Sequence, residues 1–85
     1  MLKVRRVAGH SMQPTLTPGS IVVFRRTQHI SAGDIVLARD SSGREIVKRV
    51  HAIAAGMAEL RGDNPSPRHN AIVSLSSIHY KKTLL

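Results

Sequence analysis

The sequence predicts an all-β domain, a compact and partly closed arrangement of antiparallel sheets with at most one short helical turn. Three observations carry this reading. Glycines stand at positions 9, 19, 33, 43, 56 and 62, a rhythm of turn signals that leaves only short segments between them. Those segments are rich in Val and Ile, the β-branched residues that suit a pleated surface. Pro14, Pro18, Pro65 and Pro67 all fall outside them, as residues without an amide hydrogen must. With 85 residues the chain has room for one domain, residues 1–85, and a small core.

Taken in order, the first predicted strand is Lys3–Ala8, stopped by Gly9. Ser11–Leu16 has room for a single helical turn, because Pro14 and Pro18 forbid anything longer. Ser20–Arg25 follows and holds the longest apolar run, Ile21-Val22-Val23-Phe24. Asp34–Arg39 and Arg44–Ala55 flank Asp40-Ser41-Ser42-Gly43, a hairpin turn in which Asp and Ser side chains can bond nearby backbone and Gly supplies positive φ. Ala55-Gly56 marks a tighter reversal into Met57–Leu60, and Ala71–Leu75 completes the set. The closing stretch His79–Leu85 reads either as a strand or as a tail frayed from about residue 80.

Composition excludes several functions. The chain has no Cys, which removes disulfides, thiolate metal sites and a cysteine nucleophile. The five histidines, His10, His29, His51, His69 and His79, lack metal-ligand spacing, so no metal and no cofactor is expected. Thirteen Lys and Arg against five Asp and Glu give a net charge of +8, yet the bases come as separated pairs. With only Phe24 and Tyr80 as aromatics there is no base-stacking platform, and no specific nucleic-acid partner is expected. The charge reads first as solvated surface and then as peripheral attraction to acidic surfaces. The apolar run of four residues is far short of the roughly twenty that a membrane helix requires. No signal-peptide core follows Met1, and a soluble, cytoplasmic domain is expected.

Two stretches break the pattern. In Arg44–Ala52 the two-residue period puts Ile46, Lys48, Val50 and Ala52 on one face, and Glu45, Val47, Arg49 and His51 on the other. Lys48 thus sits on the more apolar face, either as a snorkelling side chain with a wet ammonium or as a desolvated amine able to take a proton near neutrality. His51 faces away from Lys48 unless a bulge intervenes. The second stretch, Gly9-His10-Ser11-Met12-Gln13-Pro14-Thr15-Leu16, sets a serine between glycine and a proline-pinned turn. Ser11 is either a turn hydroxyl or a nucleophile, and the latter needs a base and oxyanion donors.

The run Ser11-Met12-Gln13-Pro14-Thr15-Leu16 with Gly19 resembles the nucleophile motif of type I signal peptidases. In the same order follow Gly33-Asp34-Ile35-Val36, Ile46-Val47-Lys48-Arg49-Val50 and Gly62-Asp63-Asn64-Pro65, similar to the family's remaining motifs over residues 9 to 64. The fold of SOS repressors also uses a Ser-Met and Lys pair, but the Pro-Thr-Leu and Gly-Asp-Asn elements favour the signal-peptidase branch. The resemblance implies a serine endopeptidase with Ser11 as nucleophile and Lys48 as general base. The Ser11 backbone N–H would serve the oxyanion hole, beside Gly9 where some relatives add a serine. Met12 would wall the pocket, Pro14 would pin the turn, and Arg49 would follow the lysine. Gly62, Asp63 and Asn64 would form a supporting turn in which Asp63 is paired rather than catalytic.

This chain departs from the family after that turn. Arg68 stands where a lysine-orienting serine is expected, and Asn70 where an Asp is expected, so Ser66 is the candidate to take over that bond. Arg68 near Lys48 would lower the lysine pKa further. Signal peptidases also carry membrane anchors and an apolar face toward the bilayer, and the sequence pattern gives neither. Its size resembles the short soluble branch of nickel-type superoxide dismutase maturation proteases. The implied partner is an extended protein or peptide substrate cut at an N-terminal leader or propeptide, a nickel superoxide dismutase precursor among the candidates. Two other readings stand beside this: a peptidase-fold binding module without turnover, and a basic protein that binds anionic surfaces.

Overall fold

A computed structural model describes residues 1–83. Seven strands form it: β1 (Leu2–Arg6), β2 (Ile21–Arg26), β3 (Ile35–Arg39), β4 (Glu45–Ala54), β5 (Met57–Arg61), β6 (Ala71–Ser74) and β7 (Tyr80–Lys82). They make one antiparallel sheet in the order β1-β2-β7-β3-β4-β5-β6, in keeping with the compact all-β antiparallel fold expected. The expected strands fall within a residue or two of these, the largest difference being that β1 ends at Arg6 instead of Ala8. Two 3-10 turns, Pro67–His69 and Leu75–Ser77, exceed the single helical turn predicted. Tyr80–Lys82 is not a frayed end: it is a strand placed between β2 and β3. The rest of the expected tail, residues 84–85, lies outside the described residues.

The core explains why the sheet curls. Ile35, Val36, Leu37 and Ala38 of β3 are all buried, which requires cover on both faces of the strand. Alternate residues go to different clusters. Ile35 and Leu37 join Val7, Met12, Leu16, Val22, Phe24 and Tyr80. Val36 and Ala38 join Val50, Ala58, Leu60, Val73 and Ile78. β4 alternates in the same way, with Val47 against the first cluster and Ile46 and Val50 against the second. The period predicted for β4 breaks at Val50/Ala52, where a bulge shifts the register against β5 and leaves both His51 and Ala52 exposed.

Two features of the sheet bear on function. β5 pairs with β4 only from Arg49 onward, so among the described residues Glu45–Lys48 have β3 on one side and no strand on the other. The outer face of β1 and β2 carries exposed Leu2, Val4 and Ile21 beside Met1, flanked by Arg6 and Arg25. This corrects the expectation of no apolar surface: the residues are scattered in sequence and meet only through the β1–β2 register. No helix of the described residues is long and apolar enough to cross a membrane.

Candidate functional site

The chain leaves β1 through Val7, whose N–H donates to the Ser20 carbonyl at 2.8 Å and whose carbonyl accepts from Gly19 N–H at 2.8 Å. Gly9 then adopts a φ of +76°, a conformation costly for other residues, and turns the backbone toward Ser11. Gln13 N–H donates to the His10 carbonyl at 3.1 Å and Leu16 N–H to the Met12 carbonyl at 2.9 Å, closing the short helical turn that the prolines allow. Met12, 2% exposed, and Leu16 plug this turn into the first core cluster. Ser11 is left half-buried at its surface.

A second segment clamps the serine from behind. Asn64 donates its backbone N–H to the Ser11 carbonyl at 2.9 Å and its Nδ2 to the His10 carbonyl at 3.1 Å. Gly62 packs so close that a Cβ there would clash with the Ser11 carbonyl oxygen and lie 3.0 Å from His69 Cβ. Asp63 takes both ends of the Arg49 fork, Nε at 2.9 Å and Nη2 at 2.7 Å, and accepts from the Thr15 hydroxyl. Arg49 also donates to the Gly33 carbonyl at 2.7 Å. One guanidinium therefore ties β4, the Gly33 turn and the Gly62-Asp63-Asn64 turn together. The Arg49 hydrogen bond is the main cause holding the Asp63 carboxyl below the ordinary carboxylate range, against a smaller opposing effect of burial.

Lys48 projects from β4 just before the strand gains its second neighbour, and is half-buried. Burial is the main cause that lowers its amine pKa, and the Arg44 charge adds to it. Ser11 and Lys48 line one cleft of about 580 Å³, shared with Gly9, His10, Arg68 and His69. Among the described residues, neither Ser11 Oγ nor Lys48 Nζ has a hydrogen-bond partner, and the Ser11 N–H donates to no protein group. The serine hydroxyl, its amide and a desolvated amine are thus all free to meet a ligand.

The residues named from sequence divide between two places. Gly9, Ser11, Met12 and Lys48 meet at this cleft. Arg49, Gly62, Asp63 and Asn64 support it from below, while Pro14, exposed and cis to Gln13, shapes the turn without lining it. Ser66 does not approach Lys48: its hydroxyl accepts from Arg68 N–H at 3.4 Å as the cap of the Pro67–His69 turn. It lines a separate cleft of about 700 Å³ with His51, Arg61 and Asn70. Pro65 and Pro67 fix the backbone on either side of Ser66 and account for this placement. Arg68 does line the serine's cleft, but Arg44, not Arg68, is the cation that lowers the lysine pKa.

His69 was not singled out by sequence, yet it lines the cleft with its Nδ1 2.6 Å from the Asn64 carbonyl oxygen. The usable signal was its position two residues after Pro67, where a proline-bracketed turn brings the chain back to the asparagine. Among the described residues no three His, Asp or Glu side chains converge as metal ligands would.

A model of the Peptidase S24-like family matches residues 2–80. Signal peptidase I from each of two strains of Streptococcus pneumoniae is 48% identical to this chain over 46 residues, which cover 53% of this chain and 22% of the relative. The matched region is thus under a quarter of those relatives' own length. No solved structure matches the chain at comparable significance.

Proposed function

This chain belongs to the Peptidase S24-like family, and on that premise we propose that it is a serine endopeptidase working through a dyad of Ser11 and Lys48. The observation that carries the reading is the meeting of a half-buried serine and a desolvated lysine at one cleft, beside a strand edge with no partner. A peptide laid in extended form along Glu45–Lys48 would complete that edge with main-chain hydrogen bonds. Neutral Lys48 takes the proton from Ser11 Oγ as the oxygen attacks the scissile carbonyl carbon. The free Ser11 N–H stabilises the oxyanion. Collapse breaks the C–N bond, and the Lys48 ammonium returns its proton to the leaving amine. Lys48 then deprotonates a water that attacks the acyl ester, and Ser11 regains its proton on release.

The proposed reaction is removal of an N-terminal leader or propeptide. The likeness to signal peptidase I supports this substrate class, and the likeness to nickel superoxide dismutase maturation proteases makes such a precursor the first substrate to try. The test is cleavage of a pooled library of leader and propeptide sequences, read by mass spectrometry from about pH 6 to 10. Cuts made by the wild type should vanish in Ser11→Ala and in Lys48→Ala. Equal patterns in all three proteins would overturn the dyad. One observation favours the second reading, a peptide-binding module: with Ser66 turned away, no hydroxyl among the described residues is hydrogen-bonded to Lys48. In that case Ser11→Ala binds substrate peptides and the wild type never cuts them.

A further inference from the structure

We infer that the cleft selects acidic peptides, with Arg44 and Arg68 as the specificity-determining residues. The inference rests on the peptide-cleft reading above and names the chemistry of what enters. Each of the five carboxylate side chains in the chain already has a cation: Asp34 with Lys81, Asp40 with Arg44, Glu45 with Arg5, Glu59 with Arg61 and Asp63 with Arg49. The net charge of +8 is therefore carried by Lys and Arg side chains that no side-chain carboxylate matches.

Arg68, an unmatched and exposed cation, lines the cleft that holds Ser11 and Lys48. Arg44 joins it: its contact with Asp40 is long, at 3.5 Å, and its side chain is 78% exposed. Arg6 turns its guanidinium to the outer face of β1, where it donates to the Gly19 carbonyl at 3.1 Å. Glu45 is the one carboxylate in the lining. Arg5 holds it with Nε at 2.6 Å and Nη2 at 3.3 Å, so it offsets neither Arg44 nor Arg68. A walled cleft with one sign of free charge concentrates ligands of the other sign. A guanidinium fork also suits a carboxylate better than any neutral side chain.

The strand edge gives the preference a position. Along extended backbone at about 3.3 Å per residue, Arg44 stands some four residues, or ~13 Å, from Lys48. A peptide paired to Glu45–Lys48 with its scissile bond at the lysine thus presents a side chain to Arg44 about four positions away. Arg68 is among the residues that line the serine's pocket.

The test separates binding from turnover. Labelled peptides of equal length, carrying Asp and Glu, their amides Asn and Gln, or Lys at the flanking positions, are titrated against Ser11→Ala by fluorescence anisotropy. Two partly exposed pairs should make the acidic peptide bind about fivefold tighter than its amide twin at low salt. The combined Arg44→Gln and Arg68→Gln variant should bring the two within about twofold. Arg25→Gln, which removes an exposed cation from the outer face of β2, should leave the gap intact. Circular dichroism checks that each variant is folded. Equal affinity for the acidic and amide peptides overturns the inference, as does an equal effect of Arg25→Gln. Tighter binding of a single-stranded oligonucleotide than of the acidic peptide also overturns it. Because Ser11→Ala is used throughout, absence of cleavage by the wild type refutes the dyad without touching this result. Conversely, Ser11-dependent cleavage without acidic preference sinks only this inference.

Discussion

Replacing Gly62 by alanine places one methyl group against the back of the nucleophile loop. Its Cβ would press into the Ser11 carbonyl oxygen, 3.1 Å from the Ser11 carbonyl carbon and 3.0 Å from His69 Cβ. None of these is the tip of a flexible side chain, so the loop and the turn must part. Overpacking of this kind costs about 1–3 kcal/mol. Parting also weakens the two Asn64 bonds to the Ser11 and His10 carbonyls, each contributing about 0.5–1.5 kcal/mol. Against this, alanine restricts the unfolded chain and returns about 0.4–1 kcal/mol, since Gly62 lacks the positive φ that would strain it. The net expectation is a destabilisation of about 2–4 kcal/mol, a fall in Tm of at least ~8 °C for a domain of this size. Urea and thermal melts followed by far-UV circular dichroism measure it, the chain having no Trp. Peptidase activity should fall further than stability, because a displacement of ~1 Å at the nucleophile costs about a hundredfold. Gly56→Ala supplies the contrast: φ is +75° and its Cβ meets open space in the β4–β5 turn, none of whose residues line the cleft. It should lose about 1–2 kcal/mol from backbone strain alone and keep its activity. A Gly62→Ala variant as stable and as active as the wild type would refute the clamp.

Other perturbations test the remaining parts. Burial and Arg44 hold the Lys48 amine below its ordinary 10.5, so kcat/KM should rise with pH along one basic limb whose midpoint lies below that value, and Arg44→Ala should move it upward. A midpoint that moves down, or not at all, contradicts the assignment. The sign for folding is also set: the charged amine is disfavoured in the folded state, so this contribution improves as pH rises toward 10.5. Asp63 runs the other way. Its depressed pKa stabilises the fold above the ordinary carboxylate range and that stabilisation is lost as pH falls through the folded value. Asp63→Asn should therefore flatten the acid limb of a urea-midpoint profile. A double-mutant cycle with Arg49→Gln should give a coupling of about 1–2 kcal/mol at neutral pH that shrinks in acid. Met12→Ala, at a side chain 2% exposed, should cost about 2–4 kcal/mol in urea melts, and a cost near zero would mean that the serine turn is not anchored by the core.

The strands were legible because glycine and proline punctuate this chain so regularly, and because most pairing is between sequence neighbours. The sheet order was less so. That Tyr80–Lys82 enters between β2 and β3 depends on contacts across more than forty residues, which local pattern does not encode. The nucleophile loop and the lysine strand carried their own signals, an unusual Ser-Met-Gln-Pro run and a lysine among β-branched neighbours. Ser66 failed for a local reason, since two flanking prolines commit it to capping a turn. Arg68 and His69 reach the cleft through that same turn, which returns the chain to Asn64. The apolar face of Leu2, Val4 and Ile21 was hidden because its members come from two strands and alternate with charged residues.

The position of β7 has a consequence for synthesis. Ser11 follows β1 and Lys48 belongs to β4, and among the described strands the β1–β2 pair and the β3–β6 meander are hydrogen-bonded into one sheet only through Tyr80–Lys82. On a ribosome Ser11 and Lys48 emerge early, but the strand that stitches these two units together emerges last of the seven. Until then the Asn64 bonds to the His10 and Ser11 carbonyls hold the units against each other without a shared strand. Completion of the sheet around the cleft thereby waits on the last strand to be made.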